Sequence, residues 1–276
     1  MNKVSLSSLA LAGIFSIASI HAAEFADSVV AYTPGALTGS AVSHTNASVA
    51  LGEPSHVTPG QFGGPIDPFN SPYLASQLLS VGAGGSLTVR FNSPIQNDPS
   101  HRFGIDFMIF GNAGFTITNG DFSGGGITDG SLFGQNNGAT RVSVSSDGQN
   151  YFTLNPALTP IVDAMFPTDG NGDFGQAVDP NLRPSDFSGK DLANIRALYG
   201  DSGGGAGFDL AWAQDANGQP VTLGNISFVR VDVLSGKSEI DGFAAVDAIM
   251  AVPEPSTLAL ALLGAVGLFV ARRQKS

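Results

Sequence analysis

Short runs of apolar residues alternating with polar ones recur along this chain, and glycine-rich turns separate them. Residues 86–91 and 140–145 alternate as expected of strands that bury one face. Residues 104–110 are apolar almost throughout, which is typical of a central strand covered on both faces. The 36 glycines and 16 prolines supply turns, and 42% hydrophobic residues is too apolar for disorder. The pattern predicts a mainly β fold.

Three further patterns indicate how the strands pair. Residues 140–145 and 151–154 flank an Asp-Gly turn, which predicts a β-hairpin. Residues 221–223 and 226–234 flank a Gly-Asn step and predict a second strand pair. Residues 240–249 are apolar and rich in small side chains, and they predict the last strand.

Helical patterns are sparse. Residues 192–199 form one short predicted helix, with Asp191 as its N-cap and Gly200 as its stop. A weaker pattern covers residues 156–165. Strands with one or two short helices predict a β-sandwich or jelly-roll ectodomain over residues 24–251.

The charge of the chain excludes nucleic-acid binding. Four bases near the termini (Lys3, Arg272, Arg273 and Lys275) and Glu254 belong to the end segments described below. Subtracting them from totals of 12 basic and 23 acidic residues leaves 8 and 22, a net charge of −14. A surface this acidic repels nucleic acid and favours cations. The chain has no cysteine, so disulfides do not stabilise it.

Residues 1–23 have the layout of a removable secretory signal peptide. Lys3 precedes an apolar run over residues 9–20, and the small residues Ala22 and Ala23 follow. The apolar run is too short for a transmembrane anchor. We therefore expect export, with cleavage after Ala22 or after Ala23.

Residues 252–276 combine a short motif, an uncharged span and a basic tail. The motif consists of Val252, Pro253, Glu254 and Pro255. The basic residues of the tail are Arg272, Arg273 and Lys275. Residues 256–271 lie between them without a charge and, as a helix, would extend about 24 Å. This length is slightly short of a bilayer core, but flanking residues can snorkel or the membrane can thin. The uncharged span therefore predicts a C-terminal transmembrane helix whose basic end stays in the cytoplasm.

This three-part tail resembles the PEP-CTERM sorting signal of Gram-negative bacteria that make exopolysaccharide. In that family an exosortase, a membrane protease-transpeptidase, recognises the tail. The resemblance implies export across the inner membrane, transient anchoring by the helix, an exosortase-type partner, and a final place at the cell surface or outside the cell. An ordinary single-pass anchor is the alternative.

The ectodomain is similar to galactose-binding-like jelly-roll domains. Short matching segments occur in the expected order, at residues 50–54, 80–91, 104–112, 142–148, 228–232 and 239–242. The resemblance implies glycan binding or adhesion, and many such domains hold a structural calcium. An insertion at about residues 155–207 departs from a minimal jelly roll.

Two groups of oxygen-bearing side chains are candidate calcium ligands. Asp169, Asn171 and Asp173 alternate with glycines, so that a tight loop can direct three oxygens inward. Glu239 and Asp241 form the second group, where the jelly-roll resemblance implies a calcium site. Asp and Asn also favour turns without any metal, which leaves that interpretation open for both groups.

Recognisable catalytic patterns are missing from the sequence. His44, His56 and His101 follow the signal peptide, without the spacing of a zinc protease. The G-x-S-x-G stretch at residues 200–204 follows the predicted helix and not a strand, so it lacks the strand–turn–helix setting of a nucleophile elbow. Trp212 shares an alternating face with Phe208, which indicates a core residue and not a sugar platform.

We expect a non-enzymatic binding or adhesive module that engages exopolysaccharide or another glycan. Two alternatives stay open. The first is a hydrolase of surface polysaccharide, for which no carboxylate pair stands out in the sequence. The second is an inert structural component of the matrix.

Overall fold

The computed structural model describes residues 24–61 and 63–246. Three predictions concern residues outside these ranges: the signal peptide, the sorting tail and the end of the strand predicted at 240–249. The predicted domain boundary at residue 251 also lies outside the described residues.

The described chain is mainly β, with few short helices. In chain order the strands are β1 (Ser28–Thr33), β2 (Val57–Thr58), β3 (Gly64–Pro65), β4 (Leu79–Gly82), β5 (Ser86–Gln96), β6 (Phe107–Gly111), β7 (Gly114–Phe115), β8 (Ile127–Thr128), β9 (Leu132–Phe133), β10 (Thr140–Ser145), β11 (Phe152–Leu154), β12 (Lys190–Asp191), β13 (Ala206–Phe208), β14 (Ala213–Gln214), β15 (Asn225–Val233) and β16 (Lys237–Ala245). The α-helices are α1 (Pro184–Phe187) and α2 (Leu192–Tyr199), and 3₁₀ turns occur at Gly39–Ser43, Ala47–Ala50, Arg102–Gly104 and Leu210–Trp212.

Two antiparallel sheets form the body of the fold. The larger has the order β1-β5-β15-β10-β11-β14, and the smaller has the order β13-β6-β16-β4. Leu87 and Val89 of the larger sheet share one buried cluster with Ile109 and Phe243 of the smaller. The two sheets therefore pack their apolar faces against a common core, as the alternation of residues 86–91 predicted.

The insertion predicted at about residues 155–207 contributes to a second apolar cluster. Phe187 and Ile195, from α1 and α2, pack there with Phe115 of β7. Tyr199 at the end of α2 is buried, and its hydroxyl donates to the carbonyl of Pro167 at 2.8 Å. The insertion thus packs with β7 around a small core of its own.

Several predictions about elements are confirmed. Strands β10 and β11 pair as the predicted hairpin, and β6 lies between β13 and β16 as a buried central strand. Helix α2 spans the predicted residues. The side chain of Asp191 accepts from the backbone N–H of Asn194 at its start, and Gly200 is left-handed at its end.

Two predictions are wrong. Residues 156–165 are turns and not a helix, since Asn155 accepts three backbone N–H groups that close a turn. That of Ala157 binds its side chain, and those of Leu158 and Thr159 bind its carbonyl. Residues 221–223 do not pair with the strand at 226–234. That strand, β15, lies instead between β5 and β10, because its alternating face belongs to the shared core.

Candidate functional site

The structure describes the candidate calcium ligands but not the sorting residues. Val252, Pro253, Glu254, Pro255 and the basic residues Arg272, Arg273 and Lys275 lie outside the described residues. All five candidate calcium ligands are described. The candidate site within the described residues consists of the buried acids of the domain and their neighbours.

Asp163 is a buried acid in the cluster next to β16. One of its carboxylate oxygens accepts the backbone N–H groups of Asn112 and Ala113 at 2.8 and 2.9 Å, and the other accepts that of Glu239 at 3.1 Å. Its own carbonyl accepts the N–H of Asn136 at 2.7 Å. Its backbone is left-handed, with φ of 60°. The side chain of Asp163 thus connects the segment after β6 to β16, and its backbone carbonyl holds the turn at residue 136.

Burial raises the pKa of Asp163 to about 8, and the nearby charge of Glu239 adds to the rise. The three backbone N–H bonds oppose it, because they stabilise the ionised form. Desolvation prevails, so Asp163 is mostly neutral at neutral pH.

Glu239 is the centre of the same cluster and is 3% exposed. Its Oε1 accepts from Ser80 Oγ at 2.9 Å, and His44 Nδ1 lies 3.4 Å away. Its Oε2 accepts from Asn112 Nδ2 at 2.6 Å and lies 2.8 Å from Lys237 Nζ. A single carboxylate therefore joins β4, the segment after β6 and β16.

Three buried side-chain atoms of the described residues lack a hydrogen-bond partner. They are His44 Nδ1, Asn112 Oδ1 and Asn136 Nδ2. The histidine atom is near enough to Glu239 for an ion pair, but its direction does not make a hydrogen bond. All three belong to residues that surround Asp163 and Glu239.

Asp241 serves a neighbouring segment. Its two oxygens accept from the backbone N–H and the hydroxyl of Ser55, each at 2.8 Å. Burial raises the pKa of Asp241 to about 6. Asp241 thus fastens the loop before β2 to β16.

His56, in the same loop, lies 3.1 Å from Glu53 and hydrogen-bonds the carbonyl of Gly170. Burial alone would lower the pKa of His56, but these two contacts together raise it. This loop is therefore tied to the segment that contains the other candidate ligands.

The other predicted calcium ligands point to different partners. Arg196 of α2 donates to both oxygens of Asp169, at 2.6 and 2.9 Å. Asn171 donates its backbone N–H to Asp169 Oδ1, while Asp173 accepts from Gly175 and Gln176 of its own turn.

Across residues 24–61 and 63–246, no group of three or more His, Asp or Glu side chains is placed to hold a metal ion. Glu239 and Asp241 each have the protein partners described above. Calcium at either group stays a prediction.

The cavity beside Asp163 is small. It has no room for a water molecule and is lined by Ile109, Gly111, Met165 and Thr168 among others. Pockets that take small molecules usually have about 300–1,000 Å³. The cavity is therefore smaller than a usual substrate pocket.

Trp212 is partly buried and packs against the shared core, as its alternating face predicted. Sequence reasoning did not find Asp163, Asn112 or His44. Asp163 and Glu239 are 76 positions apart and Asn112 and Glu239 are 127 apart, so no local motif joins them.

Comparison with known families identifies the C-terminal segment. Residues 251–274 match the family model of the PEP-CTERM protein-sorting motif. The chain carries this sorting motif. The match confirms the predicted sorting motif and supports an exported, exosortase-sorted surface protein.

No curated protein matches the chain. Within the described residues, no helix is long and apolar enough to cross a membrane. The transmembrane helix predicted at residues 256–271 lies outside those residues.

Proposed function

We propose that the domain is a non-catalytic binding or adhesive module, of the β-sandwich jelly-roll type, that works with exopolysaccharide on the surface of a Gram-negative bacterium. The sorting motif at residues 251–274 supports presentation at the cell surface. One structural observation carries the rest of the proposal, namely that the buried acids are used to fasten loops to the sheets.

Each of these acids has partners that hold backbone in place. Asp163 accepts three backbone N–H groups, Asp241 accepts that of Ser55, and Asp169 is bound by Arg196. Asp106 accepts the backbone N–H groups of Asp98 and Leu210. A glycosidase instead needs two carboxyl groups facing a substrate cleft about 5–10 Å apart. The acids of this domain support a binding module over the hydrolase alternative.

Exposed rings on loops are the proposed contact points for a glycan. Phe122 is 79% exposed on the loop before β8, and Phe133 of β9 is 45% exposed. Large aromatic groups supply most of the contact energy at binding surfaces, and loops on a rigid sheet commonly carry them. The net charge of −11 favours a neutral glycan over an anionic one.

Binding of the full chain in mild detergent to an array of immobilised glycans tests the proposal. We expect the wild type to bind a neutral glycan. Phe122→Ala should lower the affinity about tenfold, which corresponds to roughly 1.4 kcal/mol of binding free energy. Leu158→Ala, at another exposed apolar residue, is the matched control and should bind normally.

The two alternatives give different results in the same assay. Release of new reducing ends from a bound glycan would indicate the hydrolase. Absence of both binding and cleavage would indicate the inert matrix component, and either result contradicts the proposed module.

A further inference from the structure

Three side chains that together can form a covalent cross-link meet next to β16. The amine of Lys237 lies 2.8 Å from Glu239 Oε2, and the amide nitrogen of Asn112 donates to the same oxygen at 2.6 Å. We propose that Lys237 and Asn112 are joined by an intramolecular isopeptide bond, with Glu239 transferring the proton.

The register of the smaller sheet brings the three together. Strand β6 ends at Gly111, which is paired with Ile240, so Asn112 comes next to Glu239. Lys237 and Glu239 are two residues apart on β16 and therefore point to the same face. A long lysine side chain reaches the diagonal neighbour across an antiparallel pair.

The surroundings hold the carboxylate and leave the amide carbonyl open. Glu239 has a side chain only 4% exposed, and Ser80 Oγ fixes its other oxygen. Asn112 Oδ1 is buried without a hydrogen-bond partner, so the reaction breaks no bond to that oxygen. The Lys237 side chain is 41% exposed and enters from the solvent side.

The reaction is a transamidation that needs neither an oxidant nor a cofactor. Glu239 takes a proton from the Lys237 ammonium group, and the neutral amine attacks Cγ of Asn112. The new bond joins Nζ to Cγ, and the bond from Cγ to Nδ2 breaks. Glu239 delivers its proton to Nδ2, which leaves as ammonia, and the second proton lost by Nζ goes to solvent.

The isopeptide bond would give this chain an internal covalent cross-link. The sequence has no cysteine, so a disulfide is excluded. Lys237 and Asn112 are distant in sequence. Lys237 is the first residue of β16, and Asn112 directly follows β6, the neighbouring strand of the smaller sheet. As with a disulfide, joining such distant residues restricts the unfolded chain and raises stability. This inference does not depend on the proposed glycan-binding function.

The intact mass of the purified full chain tests the cross-link. Lys237→Arg is the matched variant, because its guanidinium keeps a positive charge near Glu239 but does not form the amide under these conditions. After correction for the substitution, we expect the wild-type mass to be lower by one ammonia. Proteolysis of the wild type should release one branched peptide that contains both residue 112 and residue 237.

Two results would overturn the proposal. One is a wild-type mass without the loss of ammonia. The other is a loss that persists in Lys237→Arg, which would assign it to ring closure at an Asn-Gly step such as Asn171-Gly172. The branched peptide is sought in the wild type, so the test remains decisive even where a variant does not fold.

Discussion

Arg196 on α2 binds both carboxylate oxygens of Asp169, at 2.6 and 2.9 Å, and so connects two parts of the insertion, α2 and the loop that contains Asp169. The Asp169 side chain is 2% exposed, while that of Arg196 is 36% exposed. Asp169 also accepts the backbone N–H of Asn171. The carboxylate is therefore a structural anchor that is paired with one arginine.

Arg196→Met is expected to destabilise the protein, because it leaves Asp169 buried without its counter-charge. The cost is about 3 kcal/mol, the lower end for a broken buried pair, since the arginine is partly exposed. This corresponds to a fall of roughly 6–12 °C in melting temperature for a domain of this size.

Thermal unfolding of wild type and variant measures the effect. Arg183→Met, at an exposed arginine, is the control and should change the melting temperature by no more than about 2 °C. Equal melting temperatures for Arg196→Met and the control would contradict the anchor role.

Asp163 is expected to make the protein less stable as the pH rises. Its pKa is about 8 in the folded chain against 3.8 ordinarily, so the folded state binds the proton more tightly. The resulting stabilisation is complete below pH 3.8 and is lost as the pH rises through about 8. Asp241, with a pKa of about 6, contributes with the same sign.

Asp163→Asn should flatten this dependence, since the amide does not titrate. Urea unfolding at a series of pH values between about 6 and 9 gives the slope. Asp147→Asn is the control. Backbone N–H groups of Asn150 and Gln149 lower the pKa of Asp147, so its contribution is lost only in acid. A slope unchanged by Asp163→Asn would contradict the assignment.

Several strands and α2 could be predicted from the sequence because each is specified by residues that are close together in the chain. The alternation of residues 86–91, the Asp-Gly turn after β10 and the cap at Asp191 each depend on a few neighbouring residues. The partner of β15 was missed because pairing depends on which strand shares its buried face. The cluster of Asp163, Asn112 and Glu239 was missed for the same reason, since it exists only after β6 and β16 pair.

Replacement of Pro253, Glu254 and Pro255 by alanine is expected to leave the full-length chain in the membrane. The matched motif at residues 251–274 implies processing by an exosortase-type enzyme, which needs an intact motif. Fractionation and blotting of cells that make wild type or variant measure the size and place of the chain. Alanines at residues 179–181, a proline-containing turn within the domain, are the control. Identical size and location for wild type and the motif variant would contradict the prediction.

Calcium is expected to stabilise the protein if the 169–173 loop holds an ion, and Arg196 offers a way to locate it. A calcium ion bound only to the folded state adds about 2.7 kcal/mol at a concentration a hundred times its Kd. Because Arg196 occupies both oxygens of Asp169, the ion and the arginine compete for one carboxylate. We therefore expect the rise in melting temperature between excess chelator and excess calcium to be larger in Arg196→Met than in wild type. Asp173→Ala should abolish the rise in melting temperature if the ion is bound by the 169–173 loop. Asp241→Ala should abolish the rise only if the ion is bound by Glu239 and Asp241. Equal melting temperatures with calcium and chelator, in wild type and in Arg196→Met, would leave Asp169 and Asp173 as turn-forming residues.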